Sequence, residues 1–307
     1  NKKPDLRNNV LVLGDICLSG KPEELFFNEK QYDIWNKLRG FIRNEDIIIG
    51  NLECALTDNG NPKPFKWASL RAKPACVQLL DKMHVACLGN NHVSDFGDIG
   101  ANETIYSLNN AGIKTVGYGS NLQKAITPVV LNRQEGSLAI LSLCCPTSNG
   151  ENLATHNSPG VAPLGMKLLS ESIAKAKKQS DAILIYLHWG VEQSHDPVPD
   201  QIRLARYAID CGADAVVGCH SHVIQSYECY KGRWIFYGLG NFLFGPVAAT
   251  EVLSDGTCRE SQQEQLLPNQ QSLAVRFAIN PNHPENRLRL ETVQPLSFGT
   301  DYTPGPV

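Results

Sequence analysis

The chain has 307 residues, of which 42% are hydrophobic and 19% charged, an ordinary globular composition with ample length for a sizeable core. Its formal net charge of −3 excludes a strongly basic nucleic-acid-binding protein, so we expect no nucleic-acid partner. No apolar run approaches the roughly 20 residues that a membrane-spanning helix needs, so we expect no transmembrane segment in this chain.

The cysteines and the first residues bear on the cellular compartment. A chain of this length does not depend on disulfides, and its ten cysteines include no CxxC pair, which argues against a zinc ribbon. We therefore expect a reducing, cytoplasmic compartment. The opening stretch NKKPDLRNNV lacks a signal-peptide core and begins without Met, so a cell-envelope location stays open if a leader or anchor was removed.

Apolar, β-branched runs alternate with segments of helical spacing along the chain. Strands are predicted at 10–15, 46–53, 85–92, 115–119, 181–190 and 214–222. Helices are predicted at 26–42, 74–83, 102–112, 165–179 and 200–212. Gly212 is the natural C-cap of the last helix. Strands that alternate with helices predict an α/β protein with largely buried sheets.

Some predicted strands have no helix after them. Residues 128–143 and 223–239 have the pattern of hairpins, and 272–279 with 286–296 that of a closing strand pair. This mixture favours two packed sheets flanked by helices.

The chain has no internal repeat and no Pro- or Ser-rich linker. We therefore predict a single domain over 1–307. Its polar stretch 246–271 is predicted to be a loop insertion.

Ligand-type side chains stand at the ends of these strands, where sites form in open α/β sheets. They are Asp15, Glu53, Asn91, His92, His188, His220 and His222. Each alone is more simply a cap, a turn residue or a hydrogen-bonded structural residue, but their recurrence at one kind of position favours a shared metal centre. The mixture of carboxylate, amide and imidazole suits one or two ions of Zn, Mn or Fe better than Ca or Mg. One carboxylate could bridge two such ions.

The pair His220 and His222 follows the apolar run Ala215–Val217. In extended geometry, residues two positions apart point to the same side. The spacing therefore predicts that both imidazoles reach one metal, or one metal each.

The motifs GD, NLE, GNNHxxDxG, HWGxE, GCHSHV and YGLGNFLF follow one another from about Val10 to Phe244. In this order they resemble the CapA family of bacterial poly-γ-glutamate capsule biosynthesis proteins, a branch of the calcineurin-like metallophosphoesterases. The resemblance implies a metallophosphoesterase-like four-layer α/β/β/α sandwich.

The resemblance also implies a role for each matching residue. Asp15 and His222 resemble ligands of a first metal, Glu53 the bridging carboxylate, and Asn91, His188 and His220 ligands of a second metal. His92 resembles the catalytic histidine.

Further residues around this set are candidates of lower rank. Asp95 could orient the His92 imidazole and take part in catalysis, or cap a following helix. Asn51, Glu192 and Asn241 are candidates for contacts that support the ligands.

One motif departs from the superfamily, whose first motif is Asp-x-His. This chain has Asp15-Ile16-Cys17, so Cys17 is either a thiolate ligand or, as we prefer, a small buried residue beside a weak or empty first site.

The segment 61–80 carries Lys63, Lys66, Arg71 and Lys73 and no acidic residue. In a net-acidic chain this bias favours an anionic substrate near the site, bound by Lys66, Arg71 and Lys73. A solvated basic loop is the alternative.

We therefore expect a metal-dependent hydrolase of the CapA type that acts on an anionic biopolymer or peptide related to capsule poly-γ-glutamate. His92 would be its general acid or base. Three alternatives use the same residues differently: a phosphoesterase, a metal-dependent peptide epimerase and a non-catalytic envelope assembly factor.

Overall fold

A computed structural model describes residues 8–64, 66–133, 136–148, 152–263 and 267–307. Its strands are β1 (Asn9–Cys17), β2 (Asp46–Leu52), β3 (Ala55–Leu56), β4 (Ser69–Ala72), β5 (Val85–Cys87), β6 (Lys114–Val116), β7 (Tyr118–Gly119), β8 (Val129–Arg133), β9 (Gly136–Cys144), β10 (Gly160–Val161), β11 (Ala182–His188), β12 (Ala215–Cys219), β13 (Tyr227–Tyr230), β14 (Arg233–Phe236), β15 (Asn241–Phe244), β16 (Val247–Val252), β17 (Cys258–Gln263), β18 (Gln271–Ile279), β19 (Leu288–Ser297) and β20 (Gly305–Pro306). Its α-helices are α1 (Lys21–Asn28), α2 (Gly97–Asn110), α3 (Leu122–Ala125), α4 (Met166–Ala176) and α5 (Pro199–Cys211). Short 3₁₀ helices are Asn36–Leu38, Pro74–Leu80 and Leu267–Gln270.

Two large sheets form the centre of the molecule. The first sheet has the order β20-β19-β18-β1-β2-β5-β6, and β15 also pairs with β1. The second sheet has the order β13-β14-β12-β11-β9-β8. The central strands β1, β2, β5 and β6 are parallel to one another, as are β9, β11, β12 and β14.

The sheets pack face to face because their strands are apolar on both sides. Along β1, Val10 and Val12 point into the core between the sheets, where β11 contributes Leu184. Leu11 and Leu13 point to the outer face of the first sheet, in the cluster that includes Leu108 of α2. On the outer face of the second sheet, Ile183 and Ile185 pack with Leu169 of α4 and Ala205 of α5. These layers confirm the predicted four-layer α/β/β/α sandwich.

The helix predicted at 200–212 is confirmed as α5, and Gly212 ends it in the left-handed conformation with a φ of 109°. The helix predicted at 26–42 is wrong over most of its length. α1 begins earlier, with a proline in its first turn, and ends at Asn28 because Glu29 is extended. The segment predicted as a helix at 74–83 is a 3₁₀ helix over Pro74–Leu80.

The predicted hairpin at 223–239 is confirmed by β13 and β14, and the closing pair by antiparallel β18 and β19. β8 and β9 also pair antiparallel, as predicted for 128–143, although the turn residues 134–135 lie outside the described residues.

The predicted loop insertion at 246–271 is wrong. β16 and β17 form an antiparallel hairpin there, and β16 also pairs with β4. Val247 and Ala249, two positions apart, are buried on one face of β16, and the polar average of the segment hides this short apolar face.

In the part of the chain that the structure describes, no helix has the length and apolar character needed to span a membrane.

Candidate metal centre

The predicted ligands meet where the parallel strands of both sheets end. Asp15 lies near the end of β1 and Glu53 directly follows β2, both in the first sheet. His188 ends β11 and His220 directly follows β12, both in the second sheet. The site is thus built at the junction of the two sheets.

Two groups of ligand-type atoms share one carboxylate. The first group is Asp15, Glu53 and His222, and the second is Glu53, His188 and His220. In each group the ligand atoms lie within 4.8 Å of one another. Asn91 adds an amide oxygen to the second group, since its Oδ1 lies 2.9 Å from His188 Nε2. These groups bring together the residues that the resemblance assigns to each metal, and their role as ligands stays a prediction.

The chemistry of this donor set fits divalent cations. Glu53 Oε1 and His220 Nδ1 are buried and have no hydrogen-bond partner among the described residues. Burial raises the pKa of Asp15 and raises that of Glu53 well above its usual range. Burial also lowers the pKa of His220 to about 3, so its imidazole is neutral and able to donate a lone pair. Buried, unpaired carboxylates next to neutral imidazoles are costly unless a cation neutralises them.

Asn51 holds the two carboxylates in place, as expected of a supporting residue. Its Nδ2 donates to Asp15 Oδ1 at 2.8 Å and to Glu53 Oε2 at 3.4 Å. Asn90, directly before the candidate ligand Asn91, in turn donates to Asn51 Oδ1 at 2.9 Å. Asn90 Oδ1 also accepts from the backbone N–H of His92 and Val93, which explains why β5 stops at Cys87 instead of continuing to 92.

His92 is held by Asp95 at the edge of the centre. Its Nδ1 lies 2.7 Å from Asp95 Oδ2. Asp95 is fully buried, also pairs with the Lys66 ammonium, and does not cap a helix. Burial and then the nearby Lys66 charge lower the pKa of His92. Burial raises the pKa of Asp95, but the contacts with His92 and Lys66 outweigh it and hold that pKa below its usual range. Asp95 thus contacts the His92 imidazole instead of capping a helix, and its part in orienting that ring and in catalysis stays a prediction.

The geometry predicted for His220 and His222 is wrong, although their convergence is observed. β12 ends at Cys219, and both histidines have positive φ values of 92° and 58° instead of extended backbone. Their ring centroids lie 6.2 Å apart. His220 faces His188 at 4.4 Å between ring centroids, and His222 Nδ1 lies 2.9 Å from Asn241 Oδ1. Asn241 thus contacts the candidate ligand His222.

Cys17 belongs to none of the ligand groups found among the described residues. It is fully buried beside Cys54, and burial together with a hydrogen bond to that second thiol raises its pKa well above the usual range. The interpretation of Cys17 as a small buried residue that binds no metal stays a prediction.

A different thiol lies in the centre, and the sequence reasoning missed it. Cys219 forms a third group with Asp15 and His188, and its Sγ lies 3.3 Å from His188 Nδ1. Its position directly before His220 was the available signal.

Glu192 lies at the exposed edge of the centre. Its side chain is exposed, yet it forms a group of ligand-type atoms with His220 and His222.

The Lys66 ammonium is bound within the protein. Besides contacting Asp95, it lies 2.5 Å from the Asn91 carbonyl oxygen. A role for Lys66 in substrate binding stays a prediction.

Arg71 and Lys73 line a cavity of about 240 Å³ that also contains acidic residues such as Glu23 and Glu260. Arg71 lies over the Phe96 ring at 4.5 Å, and Lys73 over the Phe27 ring at 5.2 Å. The mixed charge of this cavity differs from the purely basic surface that residues 61–80 predicted.

Solved structures share this architecture. A crystal structure of a phosphatase from Mycoplasma pneumoniae superposes with a TM-score of 0.56 at 17% identity, covering 94% of this chain and 92% of that chain. The fold is therefore that of the calcineurin-like metallophosphoesterases.

Sequence comparison identifies the family within this class. Residues 9–246 match the family described as bacterial capsule synthesis protein PGA_cap, and the chain belongs to that family. The PGA biosynthesis protein CapA of Bacillus subtilis is 32% identical over 236 residues, which cover 76% of this chain and 62% of the relative. The capsule biosynthesis protein CapA of Bacillus anthracis is 32% identical over 244 residues, 76% of this chain and 59% of the relative. The chain thus matches less than two thirds of the length of either relative.

Proposed function

We propose that this chain is a metal-dependent enzyme that acts on an anionic polymer or peptide of the poly-γ-glutamate type. The observation that carries the proposal is the sharing of Glu53 between two buried ligand groups, with His92 held by Asp95 at their edge. The names of the Bacillus relatives support the link to capsule polymer.

The residues present would hold one or two ions of Zn, Mn or Fe. Asp15, Glu53 and His222 would hold one ion, and Glu53, Asn91, His188 and His220 the other. Such ions supply Lewis-acid polarisation of a carbonyl or phosphoryl oxygen and activation of water. Because the second group has more imidazole donors, we propose that it binds more tightly than the first, whose motif has Cys17 where the superfamily has histidine.

His92 is suited to move a proton in this reaction. With Asp95 ionised, the 2.7 Å contact requires a hydrogen on Nδ1 and leaves Nε2 as the basic ring nitrogen. The direction of its pKa shift favours the neutral imidazole near neutral pH, so His92 begins as a base and can return the proton to a leaving group. Lys66 balances the buried charge of Asp95.

Metal analysis of the purified protein tests the first part of the proposal. His188→Ala and His220→Ala should each lower the bound Zn, Mn or Fe. The matched control is His195→Ala, because His195 is exposed. Among the described residues, its Nδ1 has a hydrogen-bond contact only with the Ile224 carbonyl oxygen. Equal metal loss from all three variants would contradict the ligand assignment.

Turnover tests the second part. Metal-loaded protein is incubated with poly-γ-glutamate, and chain length is followed with wild type and His92→Asn. We expect His92→Asn to keep its metal and stability while turnover falls about 10²–10⁴-fold, the usual contribution of a positioned acid or base. A variant that loses its metal would make His92 a ligand, and one with full turnover would remove it from catalysis.

The same assay separates the competing functions. Efficient hydrolysis of aryl phosphates, together with no change in the length of poly-γ-glutamate, would favour a phosphoesterase. The metallophosphoesterase-like fold makes this activity the main alternative. Deuterium incorporation at the peptide α-carbon without cleavage would favour an epimerase. A metal-bound protein that is inert in every assay, and whose cellular role survives His92→Asn, would favour an envelope assembly factor.

A further inference from the structure

A buried asparagine outside the family-matched residues contacts the centre. Asn269 lies in the 3₁₀ helix Leu267–Gln270, beyond residues 9–246, and is only 1% exposed. Its Nδ2 donates to Gln193 Oε1 at 3.0 Å and to the His222 carbonyl oxygen at 3.1 Å. The backbone carbonyl oxygen of Asn269 accepts a hydrogen bond from Asn241 Nδ2 at 2.9 Å. Asn269 therefore contacts His222 and Asn241, which lie beside the proposed first metal position.

The contact with Asn241 decides which ring nitrogen of His222 faces the metal position. Because Asn241 Nδ2 donates to the backbone carbonyl oxygen of Asn269, the other end of that amide, Oδ1, faces His222 Nδ1 at 2.9 Å. An amide oxygen only accepts hydrogen bonds, so Nδ1 must carry the hydrogen. In the neutral imidazole Nε2 then keeps its lone pair, and it lies 3.7 Å from Glu53 Oε1, while Nδ1 lies 3.6 Å from Asp15 Oδ2. The partner of the non-coordinating nitrogen sets the tautomer of a metal-binding histidine in this way.

The side-chain amide of Asn269 also holds the backbone around His222. His222 and Gln193 have left-handed φ values of 58° and 62°, which non-glycine residues rarely adopt. Such conformations persist where surrounding contacts hold them. Asn269 Nδ2 bonds to both residues, and Gln193 N donates to the Ser221 carbonyl oxygen at 2.8 Å beside them.

We propose that Asn269 is a positioning residue that aims His222 Nε2 at a metal bound by Asp15 and Glu53. The 3₁₀ helix Leu267–Gln270 that supplies it therefore supports the first metal position although it lies outside the family-matched range. This inference rests on the proposed metal binding, but the His222 tautomer that it requires can be measured without metal.

The first experiment titrates the chelated full chain with Mn²⁺ or Zn²⁺ and compares wild type with Asn269→Ala and Asn269→Asp. The Asp variant keeps the size of the side chain and removes the donor. We expect binding at the position of Asp15, Glu53 and His222 to weaken about 10–100-fold, with the other position unchanged. The control is Asn102→Ala, the same change at an exposed position of α2. Unchanged affinities in both Asn269 variants would overturn the proposal.

The second experiment records the ¹⁵N histidine signals of the metal-free protein, with His222→Gln to identify the His222 signal. We expect wild-type His222 as the Nδ1–H tautomer, and the same tautomer in the Asn269 variants, because the carbonyl oxygen that holds Asn241 belongs to the backbone of residue 269 and survives both substitutions. An Nε2–H tautomer in the wild type would overturn the proposal without any Asn269 variant, so it stays testable if those variants fold poorly. If wild type shows the expected tautomer but binds no metal, the proposed function fails and the positioning of His222 stands.

Discussion

At the scale of single residues, Glu53 is the side chain on which both ligand groups depend. It belongs to each of them, and its Oε1 is buried without a hydrogen-bond partner among the described residues. Asn51 contacts Glu53 Oε2, which leaves Oε1 as the oxygen directed at His188 and His222, 3.7 Å from each. A glutamate at this position has the reach to bridge two ions.

Cys17→Ala tests whether this thiol contributes to metal binding. Cys17 packs against Cys54 with a pKa well above its usual range, so the variant should keep the full metal content of the wild type. Removal of one buried sulfur should cost stability on the order of 1 kcal/mol. Metal analysis and circular dichroism provide the measurements, and loss of one metal equivalent with the fold intact would make Cys17 a ligand.

The lowered pKa of His220 predicts a pH dependence of stability in the metal-free protein. Burial moves its pKa from 6.5 to about 3, so between these values the unfolded chain binds a proton that the folded chain does not. The contribution of neutral His220 to the free energy of unfolding is therefore complete above pH 6.5 and is lost as the pH falls towards about 3.

The slope is measured by comparing chelated wild type with His220→Asn in urea unfolding from about pH 6.5 to about pH 5. The wild type should lose up to about 1.4 kcal/mol per pH unit relative to the variant. A difference that does not vary with pH would show that His220 is not buried as a neutral imidazole.

At the scale of elements, the close approach of β1 and β15 brings Asn241 beside the centre. Asp15 is paired with Asn241 in the register of these parallel strands, and Asp15 N donates to the Gly240 carbonyl oxygen at 3.0 Å. Gly14 permits this approach, because a Cβ there would lie 2.0 Å from the same carbonyl oxygen. The glycine before Asp15 is thus a steric requirement of the site.

Gly14→Ala should therefore separate β15 from β1. We expect a loss of at least about 1–3 kcal/mol in the free energy of unfolding, and a lower metal content because Asn241 no longer supports His222. The matched control is Gly40→Ala, where a Cβ would meet nothing within 4 Å. Chemical denaturation and metal analysis of both variants are the measurements, and equal behaviour of the two would refute the steric argument.

At the scale of the whole molecule, the centre joins the two sheets. Asp15 and Glu53 come from the first sheet, whereas His188, His220 and His222 come from or follow strands of the second. An ion bound between them would add to the contacts that join the two sheets, which are the apolar core between them and hydrogen bonds such as that from His220 N to Asp15 Oδ2 at 3.1 Å. Metal binding should therefore stabilise the fold as a unit.

Chelation should lower the melting temperature of the metal-loaded protein. A ligand that binds only the folded state at 100 times its Kd adds about 2.7 kcal/mol, which corresponds to several degrees in Tm. Scanning calorimetry with and without chelator measures the shift. His195→Ala should retain the shift and His220→Asn should lose most of it, whereas a shift that survives in His220→Asn would place the metal elsewhere.

The sequence by itself determined the alternation of strands and helices, the buried parallel strands and the candidate ligands at their ends. These features follow from local patterns, because a strand buried on both faces is a continuous apolar run and its polar end residues stand out. The ends of the strands and helices were less well determined where a side chain accepts hydrogen bonds from the backbone, as Asn90 does after β5.

Only the tertiary structure decided which residues share the centre and how each is held. Asn90 and Asn269 carry no local signal of their contacts, and Cys219 has only its place directly before His220, because their partners are distant along the chain and meet them only when both sheets are packed. The same holds for Lys66, whose ammonium is occupied by Asp95, and for the hairpin at β16 and β17, whose few apolar residues do not outweigh its polar composition. Local sequence sets which chemical groups a strand end presents, but the packing of the two sheets sets which of them face one another.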